Sequence, residues 1–331
     1  MRSLAGKIAV VTGASSGVGR AIARAYAQAG AHVALIARGQ VGLDAAAREV
    51  ERLGGEAIAL SLDVADSAAV DRAADAVVAR WGRIDLWVNN AMISVLSPVS
   101  QMQPSEYRRV IEVNYLGYVH GTLAALRHMR SRDAGVIIQI GSALAYRSIP
   151  LQSAYCASKA AIRAFTESLR CELIHDSCKV EVTQLQLPAV NTPQFDVVRS
   201  RLAGRPRPVA PVYQPEVIAD AALWAATHPR REIWVGWPTV KAILGQRVIP
   251  GLLDRYLAKR AWSGQSTLGP APRVIDNVDA PIDTDRGAHG AFEFEARGAS
   301  SEMWLRTHRT AIGVALGAVA AAAALLLVRS R

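Results

Sequence analysis

The chain has 331 residues, of which 51% are hydrophobic and 20% are charged, and its formal net charge is +10. This length suffices for one full domain with an appendage, since single cores grow to about 250–300 residues. The basic residues are spread along the chain without interleaved aromatic residues, so no nucleic-acid partner is predicted. Attraction to anionic lipid headgroups accounts better for the positive charge. Three cysteines without metal-ligand spacing predict no metal site and indicate a reducing compartment. Because no charged leader precedes an apolar N-terminal segment, we expect the main domain in the cytoplasm.

Short β-rich apolar runs alternate with alanine-rich amphipathic stretches along the first 240 residues. This alternation predicts an α/β fold, a doubly wound, Rossmann-like parallel sheet of about seven strands with helices on both faces. The predicted strands are 8–11, 33–36, 57–60, 86–88, 136–140, 180–187 and 233–235, and the predicted helices include 21–29, 43–53, 68–81, 107–129 and 160–174.

The first predicted strand runs through Thr12 into a glycine-rich turn and then a helix. Strand, turn and helix N-terminus in this order present free backbone N–H groups to a pyrophosphate. Gly13 permits the tight turn, Gly17 lets the backbone approach the phosphates, and Gly19 lets the helix pack close to the sheet. The predicted cofactor-binding residues of this turn are Gly13, Ser15, Ser16, Gly17, Val18 and Gly19. Ordinary turns also use glycine and serine.

The end of the second strand bears on the choice of cofactor. An acidic side chain here would bind the adenosine ribose 2′-hydroxyl and select NAD. This chain has Ala37 followed by Arg38. A guanidinium can pair with a 2′-phosphate, so NADP(H) is favoured, with a solvated loop arginine as the alternative.

Tyr155 and Lys159 lie four residues apart on one predicted helix face, and Ser142 follows a predicted strand upstream. A phenol has a reference pKa of about 10, and a lysine cation one helical turn away favours the phenolate. Lowering that pKa to about 7 takes roughly 4 kcal/mol. Taken alone, the pair is more typical of an ordinary helix surface.

Together, these motifs resemble those of the short-chain dehydrogenase/reductases. They are Thr12-Gly-x-x-x-Gly-x-Gly19, Asn89-Asn90-Ala91, Asn114, Ser142 and Tyr155-x-x-x-Lys159, in that order. The glycine spacing is similar to the compact branch of the family, and the resemblance covers about residues 4–240. It implies an oxidoreductase whose cofactor carries the hydride while the protein supplies orientation and proton transfer. Relatives usually pair through helices equivalent to 107–129 and 154–174, so a homodimer is expected.

The resemblance implies a role for each catalytic residue. Tyr155 would be the general acid/base, and Ser142 would hydrogen-bond the substrate oxygen. Lys159 would bind the nicotinamide ribose and depress the tyrosine pKa, and Asn114 would hold a water that links Lys159 to solvent. The remaining implied cofactor contacts, besides Arg38, are Asp63, Val64, Asn90, Ala91, Tyr155, Lys159, Val190 and Thr192, of which Thr192 would hydrogen-bond the carboxamide. Asp63 is also typical of a helix start.

Two positions depart from the family pattern. Met92 stands where the family usually has glycine, so its side chain would narrow the pocket or make it more apolar. Pro188 falls where the usual Pro-Gly pair has its glycine, so the backbone of this loop must differ.

The sequence divides into a catalytic NADP-binding domain (1–240), a helical extension (241–262), a flexible linker (263–302) and a tail (303–331). Phe195 and Tyr213, in a proline-rich insertion, are candidate pocket residues, and so is Tyr146; packing on the scaffold is the alternative. The extension would pack on the core or form an apolar lid. Residues 310–328 carry no charge and are just long enough to cross a roughly 30 Å hydrocarbon layer as one transmembrane helix. A buried or surface-bound alanine helix is the alternative.

The sequence therefore predicts an NADP(H)-dependent oxidoreductase that interconverts a carbonyl and a secondary alcohol, on a small apolar substrate near a membrane. The alternative is a catalytically silent NADP(H)-binding scaffold or redox sensor at the membrane. The sequence does not name the substrate.

Overall fold

The computed structural model describes residues 3–267 and 275–308. Its strands are β1 (Ile8–Thr12), β2 (His32–Ala37), β3 (Ala57–Ser61), β4 (Leu86–Asn89), β5 (Val95–Leu96), β6 (Gly135–Ile140), β7 (Val180–Gln186), β8 (Ala189–Val190), β9 (Arg199–Ser200), β10 (Val212–Tyr213), β11 (Glu232–Trp234) and β12 (Ala296–Arg297). Its α-helices are α1 (Gly17–Gln28), α2 (Gln40–Arg52), α3 (Ser67–Trp81), α4 (Pro104–Ile111), α5 (Gly117–Met129), α6 (Ser153–His175), α7 (Pro215–Thr227), α8 (Trp237–Val248), α9 (Pro250–Arg260) and α10 (Ser301–Thr307).

Seven strands form the central sheet in the order β11-β7-β6-β4-β1-β2-β3. Every neighbouring pair in it is parallel. The predicted Rossmann-like sheet is thus confirmed. The strand order reverses between β1 and β4, and in open α/β sheets ligands bind at the carboxyl ends of the strands beside such a switch point.

Helices cover both faces of the sheet. Alternate side chains of a strand point to opposite faces, so each strand contributes apolar residues to both layers. From β1, Ala9 and Val11 pack in one apolar layer with residues of α1 and α7. Ile8 and Val10 pack in the other layer with residues of α3 and α5. All four side chains are almost fully buried.

The long helix predicted over 107–129 is interrupted in the structure. Helix α4 leads into a π-helical turn (Glu112–Leu116), and α5 continues from it. Such π turns inside α-helices often occur at functional sites. This one contains Asn114.

The flexible linker expected over 263–302 differs from what is observed in its described part. Residues 275–297 pack against the catalytic domain, and Val278 and Phe292 are buried there. Strand β12 adds to a small parallel sheet in the order β12-β10-β8. The prediction rested on composition, whereas Asp276, Asp279 and Asp285 of this segment pair with arginines elsewhere in the chain. Asp276, for example, lies 2.9 Å from Arg199.

The helical extension consists of α8 and α9, which contact each other at the edge of the catalytic domain. The predicted transmembrane segment, 310–328, lies outside the described residues. Among the residues that are described, no helix is long and apolar enough to cross a membrane.

Candidate active site

The glycine turn after β1 lies tightly against the end of β4. The backbone of Gly13 has a φ of +67°, and a Cβ added there would lie 2.8 Å from Ala91 Cα. A Cβ on Gly19 would collide with the carbonyl oxygen of Gly13. The Asn90 amide donates to the Thr12 carbonyl at 2.9 Å and so ties the two strand ends together. Glycine is therefore required at these positions for backbone conformation and close packing.

A cavity of about 580 Å³ begins at this turn and extends along the carboxyl ends of the strands. That volume is within the usual range for ligand pockets, roughly 300–1,000 Å³. Of the predicted cofactor residues, it is lined by Gly13, Ser15, Ser16, Gly17, Val18, Arg38, Asp63, Val64, Asn90, Ala91, Tyr155, Lys159, Val190 and Thr192. Gly19 is not in the lining, since its role is packing. The residues present thus fit a dinucleotide, with glycines at the phosphate end and the predicted catalytic side chains at the other.

Lys159 is the most deeply buried cation at the catalytic end, with 2% of its surface exposed. Its Nζ donates to Tyr118 Oη at 3.0 Å and to the Ile140 carbonyl at 2.7 Å. It lies 5.7 Å from the centre of the Tyr155 ring. Burial lowers the pKa of Lys159 to about 7, because the surroundings disfavour the charged ammonium.

Tyr155 and Ser142 lie together on the wall of the cavity. Burial raises the pKa of Tyr155 to about 12, and a hydrogen bond from Ser142 opposes that rise. The expected lowering of the tyrosine pKa by Lys159 is therefore not observed in the protein alone. The reason is that one apolar environment disfavours both charged forms, the phenolate and the ammonium.

The Asn114 side chain is fully buried and occupied by protein partners. Its Oδ1 accepts from the Ile93 N–H at 2.8 Å, and its Nδ2 donates to the Ile93 carbonyl and to Ser158 Oγ. The residue thereby holds the chain beyond β4 against α6. The water relay that the resemblance implies stays a prediction.

At the adenosine end, Arg38 donates hydrogen bonds to the carbonyl oxygens of Asn277 and Val278. Asp63 forms an ion pair with Arg109 and accepts from the Ala65 N–H at 3.0 Å. Burial alone would raise the pKa of Asp63, but these two partners outweigh it and lower that pKa. Asp63 does not start helix α3, whose N-cap is Asp66, accepting from the Ala69 N–H at 3.0 Å.

Some predicted pocket residues lie elsewhere. Met92 and Phe195 line the cavity, whereas Tyr146 and Tyr213 do not. Tyr146 donates to Glu232 at 2.7 Å, and Tyr213 is buried in β10. The sequence reasoning missed the cavity residues from the extension and from residues 275–286, since no local pattern links them to the site. They are Pro238, Thr239, Ala242, Leu253, Tyr256, Leu257, Asn277, Pro281, Ile282, Thr284 and Arg286.

Comparison with known proteins agrees with this geometry. The profile of the short chain dehydrogenase family matches residues 7–203. An uncharacterized oxidoreductase, YxnA of Bacillus subtilis, is 33% identical over 82% of this chain and 77% of its own. The 3beta-hydroxysteroid dehydrogenase 1 of Eggerthella lenta is 36% identical over 68% of this chain and 88% of its own. A crystal structure of a metagenomic short-chain oxidoreductase in complex with NADP has a TM-score of 0.60 and 32% identity, covering 70% of this chain and 98% of that one.

These matches and the cavity define a dinucleotide-dependent oxidoreductase. The chain belongs to the short-chain dehydrogenase/reductase family. It is an enzyme that acts on CH–OH groups with an NAD(P)-type cofactor.

Proposed function

We propose that the protein is an NADP(H)-dependent oxidoreductase that interconverts a carbonyl and a secondary alcohol on an apolar substrate close to a membrane. The observation that carries the proposal is that Ser142, Tyr155 and Lys159 line the same cavity as the glycine turn. The reacting carbon and the cofactor would therefore share one space.

In this proposal the bound nicotinamide supplies or accepts the hydride. Tyr155 gives a proton to the substrate oxygen in reduction and takes it in oxidation, and Ser142 holds that oxygen by a hydrogen bond. Lys159 orients the cofactor ribose and stabilises charge next to the phenol. Its pKa of about 7 also lets Lys159 pass a proton, because a group that titrates near neutral pH both holds and releases a proton readily.

NADP(H) is the cofactor that we propose over NAD(H). Arg38 lines the adenosine end of the cavity, and Ala37 beside it offers no carboxylate that would repel a 2′-phosphate. The Arg38 side chain donates to backbone carbonyls, which orient the guanidinium without neutralising it. The metagenomic relative was crystallised with NADP.

An apolar substrate is supported by the walls of the cavity beyond the catalytic residues. These walls include Met92, Phe195, Val209, Leu253 and Leu257. The relative from Eggerthella lenta is named for a steroid, a rigid apolar substrate.

Proximity to a membrane is supported by the outer surface of α8 and α9. Val248 and Leu252 are 77% and 61% exposed there. The exposed cations of these helices are Lys241, Arg247, Arg255, Lys259 and Arg260, against a single acidic residue, Asp254. Exposed apolar residues amid cations are typical of helices that lie on anionic bilayers. The uncharged segment 310–328 would add a membrane-spanning tail.

The enzymatic part is tested with purified protein, NADPH and a panel of apolar ketones. We expect oxidation of NADPH, and we expect Tyr155→Phe to lower kcat by about 10²–10⁴-fold while cofactor binding stays unchanged. Tyr115→Phe is the matched control, because this tyrosine packs against Phe165 outside the cavity. Tight NADPH binding without turnover across the panel would support the silent scaffold instead.

The membrane part is tested by fractionating cells that express the full chain. We expect the protein in the membrane fraction after washes with high salt and with alkaline carbonate. Release by salt alone would indicate surface contact through the cations, and its presence only in the soluble fraction would contradict both forms of attachment.

A further inference from the structure

Residues 275–297, which we name the C-terminal strap, run along the open side of the dinucleotide cavity. At the adenosine end, the carbonyl oxygens of Asn277 and Val278 accept hydrogen bonds from Arg38. Asp283 Oδ1 accepts the Val41 N–H of helix α2 at 2.9 Å. The strap therefore begins where the 2′-phosphate of a bound NADP(H) is expected.

The strap next reaches the glycine turn. Asp285 lies 2.9 Å from Arg20, a cation that is only 2% exposed, and the Gly17 N–H donates to the carbonyl of Gly287 at 3.0 Å. Gly17 is one of the residues predicted to approach the cofactor phosphates. The strap thus touches the turn on which the pyrophosphate is expected.

Beyond the turn, the strap is fastened to the loop on the nicotinamide side. The Gly290 N–H donates to the Asn191 carbonyl at 3.3 Å. The buried Asn191 amide accepts from the Phe292 N–H at 3.0 Å and donates to Glu293 at 2.9 Å. Strand β12 then pairs with β10. Contacts at both ends and in the middle hold the strap across the cavity.

Part of the strap forms a wall of the cavity. Pro281, Ile282 and Thr284 line the same 580 Å³ of space as the glycine turn and Tyr155. A dinucleotide in that space would be enclosed by the strap on one side. Its exchange with solvent would then require the strap to move.

Arg286 lies between the two contacts at the glycine turn, and its side chain lines the cavity. Its Nε is buried without a hydrogen-bond partner among the residues that the structure describes. Within 3–267 and 275–308 it also has no carboxylate within ion-pair distance, unlike the neighbouring Arg20. A buried guanidinium nitrogen without a partner is unusual, and Arg286 belongs to the cavity wall beside the turn on which the cofactor phosphates are expected.

We propose that the C-terminal strap is part of the cofactor site, and that Arg286 binds a phosphate of the dinucleotide while the strap closes over it. This inference rests on the proposed use of NADP(H). NADP(H) carries phosphate in two places, the bridging diphosphate and the 2′-phosphate. Arg286 lies next to the turn that is expected to hold the bridging diphosphate.

The test compares Arg286→Gln with Arg297→Gln, which removes the same charge from the exposed end of the strap. Dissociation constants for NADPH and NADH are measured by fluorescence in the absence of any substrate. We expect Arg286→Gln to weaken NADPH binding by about tenfold, as befits a charge-assisted hydrogen bond, and Arg297→Gln to change it less than twofold. Arg286→Lys, which keeps the charge, should restore part of the affinity.

The two cofactors distinguish the two phosphates. An equal loss for NADPH and NADH assigns Arg286 to the diphosphate, and a loss confined to NADPH assigns it to the 2′-phosphate. Affinities for both cofactors that match the wild type would overturn the role of Arg286. The melting curve shows whether the Arg286→Gln variant folds. If it does not fold, the Arg286→Lys variant and the NADPH release measurement described next test the proposal.

The closing of the strap is tested by loosening it. Asp285→Asn removes the ion pair with Arg20, and stopped-flow displacement then measures the release of NADPH. We expect release to be severalfold faster than in the wild type, and the amide of Gly290 to exchange hydrogen more slowly once NADPH is bound. Unchanged release together with unchanged exchange would show that the strap does not enclose the cofactor.

The same experiments distinguish failure of this inference from failure of the proposed function. Wild-type protein that reduces ketones but shows no effect of the strap variants would contradict only the present inference. Wild-type protein that binds NADPH through Arg286 but turns nothing over would contradict only the catalytic proposal.

Discussion

The two ends of the cavity are built in different ways. At the catalytic end, Ser142, Tyr155 and Lys159 come from within 18 residues of one another, Ser142 from the loop after β6 and the other two from α6. At the adenosine end, Arg38 and Asn277 form their contact from positions 239 residues apart. The first end is part of the folded core, whereas the second is completed by a distant segment. We therefore expect mutations to affect chemistry at one end and cofactor exchange at the other.

The largest effect is expected at the catalytic end, from Lys159→Met. Removal of the ammonium should lower kcat/KM by at least about 10²-fold. The same change should raise the melting temperature of the cofactor-free protein by a few degrees, since a desolvated amine is replaced by an apolar chain of similar volume. Activity assays and melting curves check the two parts separately.

The pH dependence of this stabilisation follows from the lowered pKa of Lys159. Between about pH 7 and the unfolded value near 10.4, the unfolded chain binds the proton that the folded chain has released, so wild-type stability rises with pH. The advantage of Lys159→Met should thus be full at pH 7 and below and should shrink towards pH 10. A constant advantage would contradict burial of the amine as its cause.

A change in the glycine turn should affect both ends at once. Gly19→Ala places a methyl group against the Gly13 carbonyl, so the turn must shift. We expect a loss of several °C in melting temperature and a loss of measurable NADPH binding. Gly251→Ala, at a glycine with open space around it, should leave both unchanged.

At the adenosine end, Arg38→Gln should weaken NADPH binding about tenfold and NADH binding much less. The ratio of the two affinities is the useful quantity, because loss of the contacts to the strap would affect both cofactors equally. Arg24→Gln, on the exposed surface of α1, is the control. An unchanged ratio would contradict pairing of Arg38 with a 2′-phosphate.

The smallest effect concerns His289, which fastens the strap to α7. Its Nε2 lies 2.8 Å from Glu216, and its Nδ1 lies 3.2 Å from Glu293. Burial alone would lower the pKa of His289, but these carboxylates raise it. A raised histidine pKa contributes stability that is present below about pH 6.5 and is lost as pH rises through the folded pKa.

We accordingly expect His289→Gln to lower the melting temperature slightly at pH 6 and not at pH 9. The contribution should stay below about 1 kcal/mol, since the pair is partly exposed to solvent. Glu216→Gln should show the same pH profile. A His289→Gln effect that does not depend on pH would mean that packing, and not charge, accounts for it.

The sequence by itself determined the architecture, and it predicted the members of the catalytic end. Strands β1 to β4 and β6, β7 and β11 follow from apolar periodicity, because burial on both faces leaves a continuous apolar signal in each strand. Ser142, Tyr155 and Lys159 were predicted because their motifs occur in the order of a known family, while the four-residue spacing by itself places only Tyr155 and Lys159 on one helix face.

Only the tertiary structure decided the rest. The pKa values of Tyr155 and Lys159 depend on how deeply both groups are buried, which their four-residue spacing does not reveal. The π turn at Asn114 and the exclusion of Tyr213 from the cavity depend on packing between elements. The C-terminal strap has the composition of a linker, and it is ordered because its carboxylates and carbonyls find arginines and amides far away in the chain. Such long-range pairings leave no periodic pattern in sequence, so folding alone brings them together.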